Sequence, residues 1–246
     1  MYGIERKEEI LKILKDKKSC SVSELARLLH FSEATIRRDL TALDNEMKIH
    51  KTFGGAVILE KYNSEFPMSI RRKENEDVKQ RICRVASSFL QDNMTIFLAA
   101  SSTVEYILPH LDRFKGLTVI TNSPEIPIKI SNPNITVYST GGKLLHHSNE
   151  YAGEFATSMI RQVNADLLFF SARGLSLDGR LTQTPFDAVQ KEMIKNSAKS
   201  CLLLDSSKID KIFEFTFAQI QDIDVIVTDK PLPESIKHPD ILIADN

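Results

Sequence analysis

Ser32-Glu33-Ala34-Thr35-Ile36-Arg37-Arg38-Asp39-Leu40-Thr41-Ala42-Leu43 decides how the N-terminal part of this 246-residue chain is read. Ser32 is a good N-cap, and a wheel of about 100° per residue gathers Ile36, Leu40, Leu43 and Met47 into one apolar stripe. The opposite face carries Ala34, Arg37, Arg38 and Thr41, small or basic residues suited to a phosphate-lined groove. Asp39 borders the apolar stripe, which predicts a salt bridge or structural hydrogen bond. Upstream, Ile10, Leu11, Ile13 and Leu14 have helical spacing, and Ser21 with Glu24 forms a capping box ahead of a short second helix. Downstream, residues 48–59 read as strand, Gly54-Gly55 turn and strand, a β-wing. The head is thus a winged helix-turn-helix whose third helix is the one to enter a major groove.

Composition neither supports nor excludes that assignment. Hydrophobic residues at 42% and charged residues at 26% describe an ordinary globular protein, and 32 Lys and Arg against 33 Asp and Glu leave a net charge of -1. The neutrality is uneven: residues 1–75 hold 15 basic against 12 acidic residues, and residues 76–246 hold 17 against 21. Three scattered cysteines indicate neither a disulfide framework nor a metal knuckle, so no metal or cofactor is expected and a reducing cytoplasm fits. The charged N-terminus lacks a signal-peptide apolar region, and no stretch approaches the ~20 apolar residues of a membrane helix.

Residues 60–67 lack periodicity and end in proline, and Arg71-Arg72-Lys73 reads as a solvated face, so 1–59 is expected as the DNA-binding domain, 60–74 as linker and 75–246 as an α/β domain. In the third segment, Val78, Ile82, Val85, Ala86 and Phe89 mark an amphipathic helix. Strands are expected at 95–99, 117–121, 135–140, 166–172, 200–205 and 224–228. Continuous runs such as Leu167-Leu168-Phe169-Phe170 suit a mainly parallel sheet covered on both faces. The strands are followed by Ser101-Ser102-Thr103, Asn122-Ser123, Gly141-Gly142-Lys143, Arg173-Gly174 and Asp205-Ser206-Ser207-Lys208. Ligands bind at such carboxyl ends, and these residues suit a phosphorylated ligand, with Lys208, Lys143 and Arg173 as cations. Asp178, Asp187 and Asp205 are candidate acceptors for sugar hydroxyls. Taken singly, each loop is also explained by ordinary capping and turn chemistry.

Ser32-x-x-Thr35-Ile36-Arg37-Arg38-Asp39-Leu40 followed by Gly54-Gly55-Ala56 resembles the DeoR family of bacterial transcriptional regulators. Phe53 stands where the family usually has histidine, with His50 nearby. The resemblance implies that Thr35, Arg37 and Arg38 contact double-stranded operator DNA, with Ser32, Thr41, His50, Lys51, Gly54 and Gly55 completing the expected surface. Thr118-Val119-Ile120-Thr121-Asn122-Ser123, Gly141-Gly142 and Asp205-Ser206-Ser207-Lys208 look like the family's effector domain. That domain is similar in fold to ribose-5-phosphate isomerase and typically senses phosphorylated sugars. The implied site is Ser101, Ser102 and Thr103 as phosphate loop with Asn122, Gly141 and Lys208, to which Gly142, Lys143, Arg173 and Gly174 are added. Ser171-Ala172-Arg173-Gly174 departs from the family's Gly-Ala-Asp-Gly and removes a carboxylate. The expectation is a cytoplasmic homodimeric or homotetrameric repressor of a carbohydrate-catabolic operon. The alternatives are an isomerase-like enzyme using Asp178 or Asp187 as base, and a DNA-binding protein whose α/β domain only oligomerises.

Overall fold

The structure, a computed structural model, describes residues 3–45, 49–52, 54–58, 68–146, 148–183 and 188–244. It divides into two units, Met1–Ser64 and Glu65–Asn246. The first contains α1 (Gly3–Lys17), β1 (Ser19–Ser21), α2 (Val22–Leu29), α3 (Glu33–Asn45), β2 (Ile49–Lys51) and β3 (Gly55–Ile58). Ile36, Leu40 and Leu43 of α3 are fully buried with Ile10, Leu14 and Leu25, as the apolar stripe requires, while Met47 lies outside the described residues. Arg6 of α1 donates to both carboxylate oxygens of the buried Asp39 and stacks 4.6 Å above the Phe31 ring. That pair pins α1 to α3 and takes Asp39 away from the outer face.

The head has one strand more than expected, because β1 joins the wing in the order β1-β3-β2. Gly55 pairs with Ser21, and a Cβ there would lie 2.2 Å from the Cys20 carbonyl oxygen. Its missing side chain therefore serves strand pairing: Gly55 is a buried strand residue, not the turn residue expected from the Gly-Gly pair. Ser21 caps α2 by accepting the Glu24 N–H at 3.1 Å, but the Glu24 carboxylate pairs with Lys17 at 2.5 Å.

The second unit opens on α4 (Met68–Lys73) and α5 (Glu76–Ala86). Of the expected linker, 60–67 lies outside the described residues, and 68–73 is helical. The reason is Arg72, whose guanidinium bonds both Glu105 oxygens at 2.7 Å and Glu125 at 2.5 Å. Strands β4 (Thr95–Leu98), β5 (Thr118–Thr121) and β6 (Thr136–Ser139) alternate with α6 (Leu108–Leu111) and α7 (Ile126–Lys129). A hairpin of β7 (Lys143–Leu145) and β8 (Glu150–Ala152) leads to α8 (Glu154–Ile160), β9 (Leu167–Phe170), β10 (Gly174–Leu175), β11 (Arg180–Gln183) and α9 (Val189–Lys195). Finally come β12 (Ser200–Leu204), β13 (Phe215–Gln219), β14 (Val225–Thr228) and β15 (Ile241–Ile243).

The main sheet runs β15-β14-β12-β9-β4-β5-β6, every neighbouring pair parallel. Leu167, Phe169, Cys201 and Leu203 pack on one face with Ile82, Cys83 and Ala86 of α5. Leu168, Phe170, Leu202 and Leu204 pack on the other with α8 and α9. Burial on both faces explains the continuous apolar runs. The fold class is α/β with an N-terminal helix-turn-helix, and all six expected strands are present. The short edge strand β15 and the antiparallel set β10-β11-β13 were not expected. Among the described residues, no helix is long and apolar enough to cross a membrane.

Replacing Gly55 with Ala should destabilise the head by about 1–3 kcal/mol through overpacking against Cys20 and Ser21. Hydrogen exchange of the full chain checks this, with faster exchange expected in β1 and β3 and no change in the main sheet.

Candidate functional site

On α3 the Ser32 hydroxyl accepts the Thr35 N–H at 3.3 Å and meets the Thr35 hydroxyl at 2.9 Å, starting the helix as expected. Arg37 pairs with Glu33 at 3.3 Å, an exposed i,i+4 contact worth a few tenths of a kcal/mol. Arg38 is exposed and makes no ion pair or hydrogen bond among the described residues. Thr41 is engaged twice, donating to the Arg37 carbonyl at 2.8 Å and accepting from Lys51 Nζ at 2.7 Å. Lys51 N–H also donates to Asp44 at 2.9 Å, so β2 is hooked onto α3 and the wing's basic end lies beside the helix. Gly54 is exposed, and its carbonyl accepts the Val22 N–H at 2.8 Å. His50 faces Val57 across the wing, but its side chain lies outside the described residues, as does Phe53.

In the second unit the chain runs from β4 outward through β5 and β6, then returns to place β9 on the other side of β4. That reversal is a topological switch point, the place where open α/β sheets generally take their ligands. Lys208 spans it: Nζ donates to Thr103 Oγ1 after β4 at 3.4 Å and to Ser171 Oγ after β9 at 2.8 Å, and pairs with Asp205 at 3.4 Å. A second ammonium enters from α5, where Lys79, 3% exposed, donates to Ser102 Oγ at 3.4 Å and to the Arg71 carbonyl. Lys79 has no carboxylate at ion-pair distance among the described residues. Burial, then the charge of Lys208, pushes Lys79 down to about 8. Against an ordinary lysine at 10.5, that corresponds to roughly 3 kcal/mol in favour of the neutral amine. Burial also lowers Lys208, against the pull of Asp205. Asp205 itself is held below the usual carboxylate range despite burial, by Lys208 and the Ser207 hydroxyl that donates to it. Two cations and the Ser102, Thr103 and Ser171 hydroxyls therefore surround one buried carboxylate, an arrangement that attracts an anion.

Other expected residues have structural occupations. Ser101 Oγ accepts the Thr103 N–H at 3.1 Å, so its hydroxyl caps the following turn. Asn122, fully buried, accepts the Ala100 N–H at 2.8 Å and donates to the Tyr151 carbonyl at 3.3 Å, locking two loops together. Gly141 and Gly142 have positive φ of 60° and 111°, which fits a turn before β7. Gly174 is required because a Cβ would meet the Lys211 carbonyl oxygen at 2.2 Å. Lys143 is exposed on β7 and bonded to none of these groups, and Arg173 is half-buried with electrostatic reach to Lys208. Asp178 sits on an exposed turn with both oxygens 3.0 Å from Arg180 Nε and a further bond from the Ser176 hydroxyl, and Asp187 lies outside the described residues. Lys79 and Ser171 join the cluster without having been among the expected site residues. Lys79 carries one signal in the sequence: it opens a buried i, i+3, i+4, i+7 stripe with Ile82, Cys83 and Ala86, where a lysine is out of place.

A helix-turn-helix head on one chain with a parallel α/β unit bearing a buried lysine cluster at its switch point is the build of a transcriptional regulator. Residues 6–62 match the DeoR-like helix-turn-helix domain and residues 74–230 the DeoR C terminal sensor domain. The HTH-type transcriptional regulator GolR of Listeria innocua is 33% identical over 96% of this chain and 94% of its own. The lactose phosphotransferase system repressor of Staphylococcus aureus is 28% identical over 95% and 94%. Ribose 5-phosphate isomerase A of Methanocaldococcus jannaschii overlaps 55% of each chain at 18% identity and a TM-score of 0.41. This chain belongs to the DeoR family of transcriptional regulators, and its head is a DNA-binding domain.

Because an anion favours the ammonium form of Lys79, anion affinity should be flat below about pH 8 and fall above it, approaching tenfold per pH unit. Calorimetric titration with sulfate, whose charge is constant over this range, checks the slope in wild type. Lys79→Met should show a weaker but flatter profile there.

Proposed function

We propose that this protein is a cytoplasmic repressor whose second unit binds a phosphorylated sugar or related metabolite in the Lys79–Lys208 crevice and thereby loses affinity for its operator. The observation that carries this is the pair of enclosed ammonium groups, one on Ser102 and one on Thr103 of the same loop, with Asp205 the only carboxylate ion-paired to either among the described residues. Two ammonium groups against one carboxylate leave a net charge of +1, which an anionic phosphate offsets, and Asp205 and Ser171, both bonded to Lys208, are the groups to read the remainder of the ligand. The repressor assignment is supported by the Staphylococcus aureus relative, which is named a lactose phosphotransferase system repressor.

On the DNA side, Arg38 is the principal base-reading candidate, since none of the described residues competes for its guanidinium, and Arg37, Lys51 and Thr35 flank it. A homodimer or homotetramer presents two such helices to half-sites about one helical turn, or a multiple of it, apart. A thermal-shift screen of pentose and hexose phosphates tests the crevice: one or more should raise the melting temperature of wild type and none that of Lys208→Ala. No shift with any phosphate would favour a domain that only oligomerises. Arg38→Ala should weaken operator binding by about 1–3 kcal/mol, measured by gel-shift titration, and leave the thermal shift unchanged.

A further inference from the structure

Lys79 makes one bond that anion binding does not need. Besides Ser102, its ammonium donates to the main-chain carbonyl of Arg71, in the last turn of α4. Carbonyls in a last helical turn lack partners within the helix, and a cation there is favoured by the helix dipole. A second tie comes from Asn75, just past α4, whose side-chain amide donates to Asp205 Oδ1 at 3.3 Å. Both ties end on charged groups that line the crevice. Other anchors of α4 do not use those two bonds: Arg72 on Glu105 and Glu125, the Tyr106 hydroxyl donating to the Arg72 carbonyl at 2.9 Å, and Arg71 Nη2 donating to the Ser148 carbonyl at 3.5 Å. The helix is therefore held at Arg72, through the Arg71 side chain, and by two bonds to the Lys79 and Asp205 charges. It is also the first described element after β3, so whatever moves it acts on the chain that leads to the DNA-binding head.

We propose that α4 is the element through which the protein senses occupancy of the crevice. An anion bound between Lys79 and Lys208 draws the Lys79 ammonium off the Arg71 carbonyl, and the last turn of α4 opens about the Arg72 pivot. The proposal rests on the crevice being the effector site, and it assigns Lys79 two roles: anion contact when the site is filled, latch on α4 when it is empty.

Hydrogen exchange of the full chain, with inorganic phosphate as probe, separates the latch from the site. Phosphate should slow exchange around 101–104 and 206–208 and speed it about tenfold at 71–75, the effect of losing one charge-assisted hydrogen bond. Lys79→Met should exchange fast at 71–75 without phosphate and show no further increase with it. Slowing in the crevice with 71–75 unchanged would overturn the latch and leave the site standing. No slowing in the crevice at any phosphate concentration would overturn the site, and the latch with it. If Lys79→Met fails to fold by circular dichroism, the wild-type titration alone decides among these outcomes.

Discussion

The Lys208 ammonium, enclosed where the sheet reverses direction, is the constraint around which the second unit is arranged. An unpaired charge withdrawn from water costs several kcal/mol even after relaxation, so its neighbours have to supply both charge and acceptors. Asp205 gives the charge, and it is kept ionised by Lys208 itself and by the Ser207 hydroxyl. Ser171 gives an acceptor while its own proton goes to the Leu203 carbonyl at 2.7 Å. Thr103 gives another, on a loop held from behind by the Cys83 thiol donating to its carbonyl at 3.1 Å. Each partner follows a different strand, so one cation sets the ends of β4, β9 and β12 relative to one another. A cluster assembled this way holds its arrangement without a ligand.

In the head the corresponding device is the Arg6–Asp39 pair. It sits within the core, so α3 keeps its orientation without using its outer arginines. Asp39 is consumed inward, Thr41 is consumed by Lys51, and among the described residues the Arg37 guanidinium is held only by an exposed carboxylate whose grip is weak. The basic surface is therefore sparse, in keeping with a segment only slightly richer in basic than acidic residues. Affinity then depends on a few well-oriented contacts more than on bulk charge.

The main sheet is legible in the sequence because strands buried on both faces leave unbroken apolar runs, and parallel connectivity puts every following loop on one edge. The chemistry of those loops is less legible, because the same residue types serve ligands and turns. Ser101 and Asn122 read as ligand contacts, yet their polar atoms are spent on the backbone. Gly55 and Gly174 read as sites of approach to a partner, and the backbone they approach is the protein's own. Lys79 escapes a reading by type because an amphipathic helix is expected to carry lysines, and only its register against Ile82 and Cys83 marks it as buried. The three-residue strands β1 and β15 are too short for periodicity to reveal; pairing defines them.

A preformed crevice raises a difficulty for regulation, since a ligand that fits one conformation without disturbing it shifts no equilibrium. The difficulty is removed if some bond of the empty state has to be given up on binding. Lys79 is suited to that, because half of its hydrogen bonding goes to the crevice loop and half to α4. The typical coupling between an effector and a second site is about 1–3 kcal/mol, and one charge-assisted hydrogen bond contributes about 1.5–3 kcal/mol. A single exchanged bond is therefore enough to carry the signal. The rest of the sensor unit can stay rigid, which a sheet with both faces packed requires.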